Sequence, residues 1–376
     1  MGKTVYILGA GFSKESGAPL QSEIVDEIMQ LNTTYLDPRY QKIFHRNRES
    51  FKKFLEQTLF IEPASFKNVA LEDIFTPLDR CIFDNLSFRN ISPHELFTIR
   101  QNLISLIVIL FDHRLRGIEN EAPYVPRFAQ HLVDLRKLHH NNDPFSVIST
   151  NWDIVLDNAI VKKIPEGEGV VDYCCYITPY NSSEKLLPGL LARRMGRYNI
   201  KILKLHGSMN WLRCQRCQRL FVTFFEKIAL NEFFNRPKCR LCDRNFSSSS
   251  GNDGGALLVS DLVKPTFLKD LDDVQIKLVW QNAGVELSEA HKLVFIGYSF
   301  PMADFEFRQL LSRSVRHTAE IEVILCDKDD PSISSARKED LPEFRYCSFF
   351  GKRSITFSYD GVAHYVNQLA NTIVGK

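Results

Sequence analysis

The chain has 376 residues, of which 44% are hydrophobic and 24% charged, and a formal net charge of +2 at pH 7. This composition is typical of a globular protein with one large domain or two to three modules. The small net charge excludes a global attraction to nucleic acid or to an anionic membrane. No apolar run approaches a bilayer span, and the first residues lack signal-peptide anatomy. The sequence therefore predicts a cytoplasmic protein with no membrane partner and no evident nucleic-acid partner.

The first predicted element is a buried strand over residues 3–8 that runs into a glycine-rich loop. Glycine lets backbone N–H groups approach a pyrophosphate closely, and nearby serine hydroxyls add donors. The third glycine comes late, at Gly17, compared with the usual dinucleotide fingerprint. An ordinary strand-to-helix turn therefore explains the loop equally well. The candidate nucleotide-binding residues here are Gly9, Ala10, Gly11, Ser13 and Ser16.

Helical spacing of apolar residues then predicts a helix opened by Pro19 and a helical insertion over about 40–140. A strand over 144–149 and a helix over 152–160 follow, with Asn151 at their junction. Asparagine is a good helix N-cap, which is the ordinary explanation of Asn151. The functional alternative is that Asn151 orients a water molecule or a ribose hydroxyl. In that alternative Asp153 accepts a hydrogen bond from an amide such as a nicotinamide carboxamide.

Further strands are predicted over 170–178 and 200–205, and the second ends at His206 and Gly207. A single histidine is more often structural than catalytic. A histidine at a strand end, with a pKa near neutrality, can however take a proton from a ribose hydroxyl as a general base. His206 is therefore a candidate catalytic residue.

The cysteines give the most specific single signal in the sequence. Four of the nine form two Cys-x-x-Cys pairs, and this spacing suits a tetrahedral zinc ion with no open coordination position. The metal is therefore predicted to be structural, within a zinc-ribbon module over 211–255 that includes a polar serine–glycine loop. The odd cysteine count argues against a disulfide framework. The predicted ligands are Cys214, Cys217, Cys239 and Cys242.

The last part of the chain is predicted to contain a strand over 293–296, a helix from 303, a strand over 321–325 and a helix over 362–373. Gly297 and Ser299, after the first of these strands, are candidates for contact with a phosphate or an adenosine ribose. Asp327, after the second strand, is a candidate acceptor for ribose hydroxyls. Ordinary turns explain all three equally well. The segment from Lys264 to Lys269 receives no role from its spacing.

Strands that alternate with helices predict an α/β fold, a Rossmann-like doubly wound parallel sheet carrying the helical insertion and the small zinc-ribbon module. Ligands bind at the carboxyl ends of the strands in such sheets. Because each candidate segment follows a predicted strand, we expect one shared site for a dinucleotide.

Five of these segments, in their order along the chain, resemble the sirtuins. They are the glycine loop from Gly9, the segment Asn151 to Asp153, His206 with Gly207, the cysteine pairs, and the loop from Gly297 to Ser299. Sirtuins build a Rossmann-like NAD site from a Gly-Ala-Gly loop, an Asn-x-Asp segment, a His-Gly segment, a zinc ribbon and a Gly-x-Ser loop. The closer likeness is to bacterial sirtuin-like proteins of phage defence, whose three further motifs match residues 150–153, 265–269 and 296–304. The resemblance implies that residues 1–210 and 256–376 form an NAD-binding domain.

Two elements of the deacetylating sirtuins are missing. Leu20-Gln21-Ser22 stands where those enzymes carry Asp-Phe-Arg, and residues 259–264 replace the Phe-Gly-Glu strand that holds an acyl-lysine peptide. The sequence therefore favours an NAD+ glycohydrolase (an NADase) that cleaves NAD to nicotinamide and ADP-ribose and depletes NAD in anti-phage defence. Asn151, His206 and Asp153 would be its catalytic residues. The alternatives are an NAD-dependent protein deacylase and a non-catalytic subunit that senses NAD or ADP-ribose.

The resemblance also implies that such an activity is restrained by assembly. We expect a homo-oligomer, with self-association through the helical insertion. A partner of the HerA–FtsK type, a hexameric DNA-translocase ATPase, is the kind of trigger that the resemblance suggests.

Overall fold

The computed structural model describes residues 2–116, 122–140, 142–246, 255–267, 269, 271, 273–325 and 341–374. Asp327 and most of the predicted serine–glycine loop, residues 247–254, lie outside the described residues.

The described residues form both helices and strands. The strands are β1 (Thr4–Leu8), β2 (Phe145–Ser149), β3 (Gly169–Asp172), β4 (Ile177–Pro179), β5 (Tyr198–Lys204), β6 (Trp211–Cys214), β7 (Leu220–Val222), β8 (Leu258–Ser260), β9 (Lys292–Ile296), β10 (Glu320–Ile324) and β11 (Ile355–Ser358). The α-helices are α1 (Ile24–Gln30), α2 (Pro38–Lys53), α3 (Leu71–Phe83), α4 (Pro93–Arg114), α5 (Tyr124–Leu138), α6 (Val155–Lys163), α7 (Gly189–Arg194), α8 (Asn231–Phe234), α9 (Arg240–Phe246), α10 (Val274–Glu289), α11 (Phe305–Ser314), α12 (Pro342–Phe350) and α13 (Gly361–Val374).

The main sheet has seven strands in the order β11-β10-β9-β1-β2-β5-β3, and every pair is parallel. Its central strands are almost fully buried, as expected of a parallel sheet covered on both faces. Helix α5 packs against α6 and α13, and α10 packs against α11. Right-handed crossovers in the two directions away from β1 place these helix groups on opposite faces. The prediction of a doubly wound α/β fold is confirmed.

The register of the sheet brings the ends of its strands to one level. Leu8, the last residue of β1, pairs with Ser149 of β2 and with Ile296 of β9. Ser149 in turn pairs with Lys204, the last residue of β5. The loops that follow β1, β2, β5 and β9 therefore leave the sheet side by side, at the point where the strand order reverses around β1.

A second hydrophobic core is formed by the helices that follow β1 and includes buried residues from Ala18 to Phe111. The insertion was predicted over about 40–140, but α5 packs into the core of the main sheet instead. Helix α4 is long and apolar enough to span a bilayer by length and composition, which the sequence analysis did not anticipate. Its residues from Leu103 to Phe111 are buried, which is the pattern of a central core helix.

The cysteine pairs lie in a small second sheet of order β4-β7-β6-β8. Two of its strands, β4 and β8, lie outside the predicted 211–255 module. The single strand predicted over 170–178 is therefore wrong, because β3 belongs to the main sheet and β4 to the small one. The chain turns between them at Cys174, which has a positive φ of 56°, and the Tyr173 hydroxyl donates to Asp157 at 2.7 Å.

Two predicted helix starts are also wrong. Pro19 does not open a helix, since short 3-10 turns lead to α1 at Ile24. Helix α6 begins at Val155 rather than at residue 152, because the Asp153 carboxylate accepts a hydrogen bond from the Val155 amide at 3.0 Å. Ile154 stands at the N-cap position, so neither Asn151 nor Asp153 is the N-cap residue of this helix. Strand β11 and helix α12 were not anticipated.

Candidate functional site

The two glycine loops of the predicted nucleotide site touch each other. The Gly11 amide donates to the Gly297 carbonyl at 2.9 Å, and the Gly9 amide donates to the Ile296 carbonyl at 3.1 Å. A Cβ on Gly9 would lie 2.5 Å from the Tyr298 Cα, and one on Gly297 would lie 2.4 Å from the Phe12 backbone nitrogen. Close approach of two backbones therefore explains these glycines without any ligand.

Asn151 lies beside the first of these loops. Its side-chain amide donates to the Gly9 carbonyl at 2.9 Å and lies 3.5 Å from the Ser13 hydroxyl. This contact fixes the amide group and directs its nitrogen into the protein. The amide oxygen is left as an acceptor, and the residue is only partly buried. Asn151 can therefore orient a donor such as a water molecule or a hydroxyl group.

His206 contacts the residue that precedes Asn151, although it comes 55 positions after Asn151 in the chain. Its ring Nδ1 is 3.0 Å from the carbonyl oxygen of Thr150. A carbonyl can only accept, so Nδ1 carries the proton and Nε2 carries the lone pair. Nε2 is buried and has no hydrogen-bond partner among the described residues. The tight turn after His206 uses Gly207 with φ +74°, where a Cβ would lie 1.7 Å from the Asp261 carbonyl oxygen.

An acidic side chain faces the free ring nitrogen. Asp304 Oδ1 is 3.5 Å from His206 Nε2 and 3.0 Å from the Lys269 ammonium. The Tyr298 hydroxyl donates to Asp304 Oδ2 at 2.6 Å, and Lys269 also donates to the Ala303 carbonyl at 2.8 Å. Lys269 is 1% exposed at its side chain. This buried lysine therefore supplies the charge that balances Asp304.

Burial and these neighbours set the protonation states. Burial lowers the pKa of His206 and Lys269 lowers it further, which outweighs the opposite effect of Asp304. Burial alone would raise the pKa of Asp304, but the positive groups at His206 and Lys269 and the donated hydrogen bonds bring it below its usual value. The effect of His206 on Asp304 belongs to the protonated ring, whereas Lys269 and the hydrogen bonds favour the ionised carboxylate beside either form of the histidine. The lowered pKa of His206 favours the neutral imidazole.

The remaining predicted polar residues of the site are mostly turned into the protein. Asp153 is 5% exposed, and burial raises its pKa although the carboxylate accepts hydrogen bonds from the Val155 amide and from Ser13. The Ser16 hydroxyl accepts from the Ala122 amide at 3.0 Å. Ser299, by contrast, is exposed after the Gly297 turn. The structure therefore brings together the predicted residues that follow β1, β2, β5 and β9. Few of their polar groups remain available for hydrogen bonds to a ligand.

The helices α1 to α4, which form the second hydrophobic core and are called the helical cluster below, cover this edge of the sheet. The core of this cluster includes Ile154, Met209 and Leu262, which follow β2, β5 and β8. From α3, the Thr76 hydroxyl accepts from the Phe267 amide at 3.1 Å. Burial raises the pKa of Glu72, also on α3, and the negative charge of Asp304 adds to the effect. Helix α3 therefore forms one wall of the site.

The structure also shows functional candidates that sequence reasoning missed. Lys269 and Asp304 received no role, although both belong to motifs that the sequence comparison had singled out: residues 265–269 and 296–304. The sequence feature that could have identified them is that each is an ionisable residue at the end of its motif. Only the tertiary structure brings the two segments together at His206.

The four paired cysteines fit a zinc ion. All four Sγ atoms lie within 4.8 Å of one another, and the Cys214–Cys242 and Cys217–Cys239 sulfurs are each 3.8 Å apart. Thiolates at about 2.3 Å from a tetrahedral zinc stand at about this separation. Backbone amides at 216 and 217 donate to the Cys214 sulfur at 3.4 Å. These cysteines would hold the metal in a closed, structural site.

No protein-family model matches the sequence, and no curated protein sequence matches it significantly. Among solved structures, the chain aligns with a Sir2 homologue in complex with NAD at a TM-score of 0.43 and 14% identity, covering 99% of this chain and 90% of that one. A Sir2 homologue variant in complex with ADP-ribose aligns at 0.40 and 15%, with 99% and 92% covered. A Sir2 protein bound to a propionylated peptide aligns at 0.38 and 13%, with 99% and 94% covered. Likenesses this distant assign neither a family nor an activity, so the residues of the site have to carry any functional conclusion.

Proposed function

We propose that the chain is a sirtuin-like NAD+ glycohydrolase that converts NAD and water to nicotinamide and ADP-ribose. The observation that carries the proposal is the unpartnered ring nitrogen of His206, Nε2. This nitrogen is buried without a hydrogen-bond partner among the described residues, while the other ring nitrogen is held by the residue before Asn151. A neutral imidazole fixed in this way is arranged to accept a proton from a ribose hydroxyl or from water.

Asn151 supplies the second part of the proposed chemistry. As the bond between nicotinamide and the ribose C1′ breaks, positive charge develops on the ribose, and water then adds to that carbon. The amide oxygen of Asn151 is free to accept from this water, because its nitrogen is held by Gly9. His206 then receives a proton, and the enclosed edge under the helical cluster limits competing reactions.

Asp153 is the least available of the three proposed catalytic residues. Its carboxylate already accepts from the Val155 amide and from Ser13. We keep the nicotinamide carboxamide as its proposed partner, bound through a remaining lone pair. The proposal that Gly9, Ala10, Gly11 and Gly297 line the pyrophosphate path rests on their place at the switch point. Ser299 would add an exposed hydroxyl group to this path.

We propose water as the acceptor because the sequence lacks the elements with which deacetylating sirtuins hold an acyl-lysine peptide. The segment in their place has its own contacts. Strand β8 pairs with β6. Beyond it, the Val263 amide donates to the His206 carbonyl at 3.0 Å, and the Val263 carbonyl accepts from Trp152 at 3.1 Å. The backbone groups of Val263 are therefore already used within the chain.

The test is to incubate the purified chain with NAD and to quantify nicotinamide and ADP-ribose by mass spectrometry. We expect Asn151→Ala and His206→Ala each to lower the turnover by about 10²- to 10⁴-fold, the usual contribution of a positioned base. Asn90→Ala and His317→Ala, at exposed positions away from the site, are the matched controls. Equal NAD loss in all four variants would refute the assignment.

Two other outcomes distinguish the alternatives. Adding acylated peptides to the same assay gives coupled acyl loss if the chain is an NAD-dependent protein deacylase. Binding of NAD by the native chain without turnover, alone and with candidate partner proteins, would instead support a sensing subunit.

The biological role follows from the proposed reaction and from the sequence resemblance alone. We propose a cytoplasmic, homo-oligomeric effector that depletes NAD in anti-phage defence, with a HerA–FtsK-type ATPase as a candidate partner. The NAD content of phage-infected cells that express the chain or its His206→Ala variant tests the role. Native mass spectrometry with and without the candidate partner tests the assembly.

A further inference from the structure

In its neutral form, His206 presents the acceptor Nε2 to the carboxylate of Asp304. His206 Nε2 and Asp304 Oδ1 are 3.5 Å apart. The Nδ1 proton of His206 is committed to the Thr150 carbonyl, and the ionised Asp304 has no proton to offer. Lys269 already donates to Oδ1, whereas Nε2 has no hydrogen-bond partner among the described residues. A donor from outside the chain can therefore satisfy Nε2, and a neighbouring donor can use a further lone pair of Oδ1.

The carboxylate is held in this position by groups that the proposed reaction does not otherwise use. Tyr298 donates to Oδ2 at 2.6 Å, which leaves Oδ1 directed toward the histidine. Lys269 lies 3.0 Å from Oδ1 and is anchored to the Ala303 carbonyl at 2.8 Å. A ligand with two neighbouring hydroxyl groups, such as the diol of a ribose, matches this pair of acceptors.

We infer that Asp304 is a second ribose-binding residue, which accepts one hydroxyl of the nicotinamide-side ribose while His206 Nε2 accepts its neighbour. This inference deepens the proposed function and rests on it for the identity of the sugar. Lys269 is a positioning residue in this arrangement, because it acts on the ligand only through Asp304. The assignment adds no atom to the reaction, and it makes the site specific for a ribose with both hydroxyls present.

The test is a thermodynamic cycle that combines a substitution in the protein with the removal of a hydroxyl group from the ligand. Binding is measured by calorimetric titration of the full chain. The probe is ADP-ribose, which is not consumed, compared with analogues that lack the 2′ or the 3′ hydroxyl of the terminal ribose. We expect Asp304→Asn to weaken ADP-ribose binding by about 10- to 100-fold, the effect of losing a hydrogen bond to a charged group. For the analogue that lacks the hydroxyl bound by Asp304, we expect the same substitution to have almost no effect.

Equal weakening with all three ligands would overturn the inference, since Asp304 would then act on the fold and not on a hydroxyl. Failure of the native chain to bind ADP-ribose would overturn it together with the proposed function. Hydroxyl-dependent binding without NAD turnover would keep the inference and remove the glycohydrolase. If Asp304→Asn does not fold, the native chain alone decides, because each missing hydroxyl should weaken binding by about 10-fold or more.

A second readout separates Lys269 from a merely structural lysine. The charged groups that face His206 are Asp304, Lys269 and Glu306. Asp304 raises the pKa of His206 and Lys269 lowers it, so Asp304→Asn should move that pKa down and Lys269→Met should move it up. NMR titration of labelled histidine measures both, with His206→Gln to assign the signal. Shifts in the same direction, or a doubly protonated ring at pH 7 in the native chain, would contradict the arrangement.

Discussion

The contact between the two glycine loops makes a prediction about stability that does not depend on any ligand. Gly297 has φ +60°, and a Cβ built there would lie 2.4 Å from the Phe12 nitrogen and 2.5 Å from the Gly11 carbonyl carbon. Both neighbours are backbone atoms of a loop that is hydrogen-bonded to Gly297 itself. They cannot rotate away as a flexible side chain would.

Two effects therefore add in the variant Gly297→Ala. A left-handed backbone conformation costs a non-glycine residue about 1–2 kcal/mol. Insertion of a methyl group into a packed region costs about 1–3 kcal/mol more. We expect a loss of about 2–5 kcal/mol in the free energy of unfolding, which is large beside the effect of a typical surface substitution.

Gly196→Ala is the matched control. Gly196 also has a left-handed φ, +78°, but a Cβ there would have no atom within 4 Å. It should therefore show the conformational cost alone. Urea unfolding of both variants at an unchanged slope measures the difference, which we expect to be about 1–3 kcal/mol. If Gly297→Ala proves no more destabilising than Gly196→Ala, close packing is not the reason for the glycine.

Two further predictions concern the small sheet. Removal of zinc by a chelator, or the substitution Cys214→Ser, should lower the melting temperature, since structural zinc sites contribute many kcal/mol to folding. Cys81→Ser is the control. Equal metal content and equal melting temperature in the two serine variants would exclude a zinc site. Burial and the neighbouring Asp273 raise the pKa of Asp261 to about 7. The folded state then holds a proton that the unfolded state has released, so this residue's contribution to stability is present below about pH 4 and is lost as the pH rises to about 7. Asp261→Asn should therefore gain about 2–3 kcal/mol relative to the native chain between pH 5 and pH 8, and a stability difference that does not change with pH would contradict this.

The sequence was sufficient to predict the parts of the fold that depend on local pattern. Short apolar runs followed by glycine identified β1 and β9, and the run over 144–149 identified β2. The common level of the strand ends followed from the parallel sheet. The paired cysteines needed only their spacing. These features follow from residue spacing and from general rules for parallel sheets, so they can be predicted without the tertiary structure.

The errors came where tertiary contacts override local pattern. Residues 170–178 have the composition of one strand, but Tyr173 turns inward to Asp157 and the two halves join different sheets. Pro19 is a reasonable first residue of a helix, yet a 3-10 turn over Gln21–Glu23 precedes α1, which begins at Ile24. From the sequence, a phosphate and an ordinary turn explained the glycines after β1 equally well. The structure adds a backbone partner that no sequence pattern could identify.

The same reasoning explains why Lys269 and Asp304 escaped notice and why the helical cluster matters to the site. Lys269 follows the small sheet and Asp304 follows β9, so the chain alone does not relate them. Helix α3 closes this meeting point through the bond from the Phe267 amide to the Thr76 hydroxyl. A shift of α3 would move the segment that carries Lys269, and with it the charge that balances Asp304. If the insertion is the surface for self-association, as we propose, an assembly contact there would reach His206 through α3, Lys269 and Asp304.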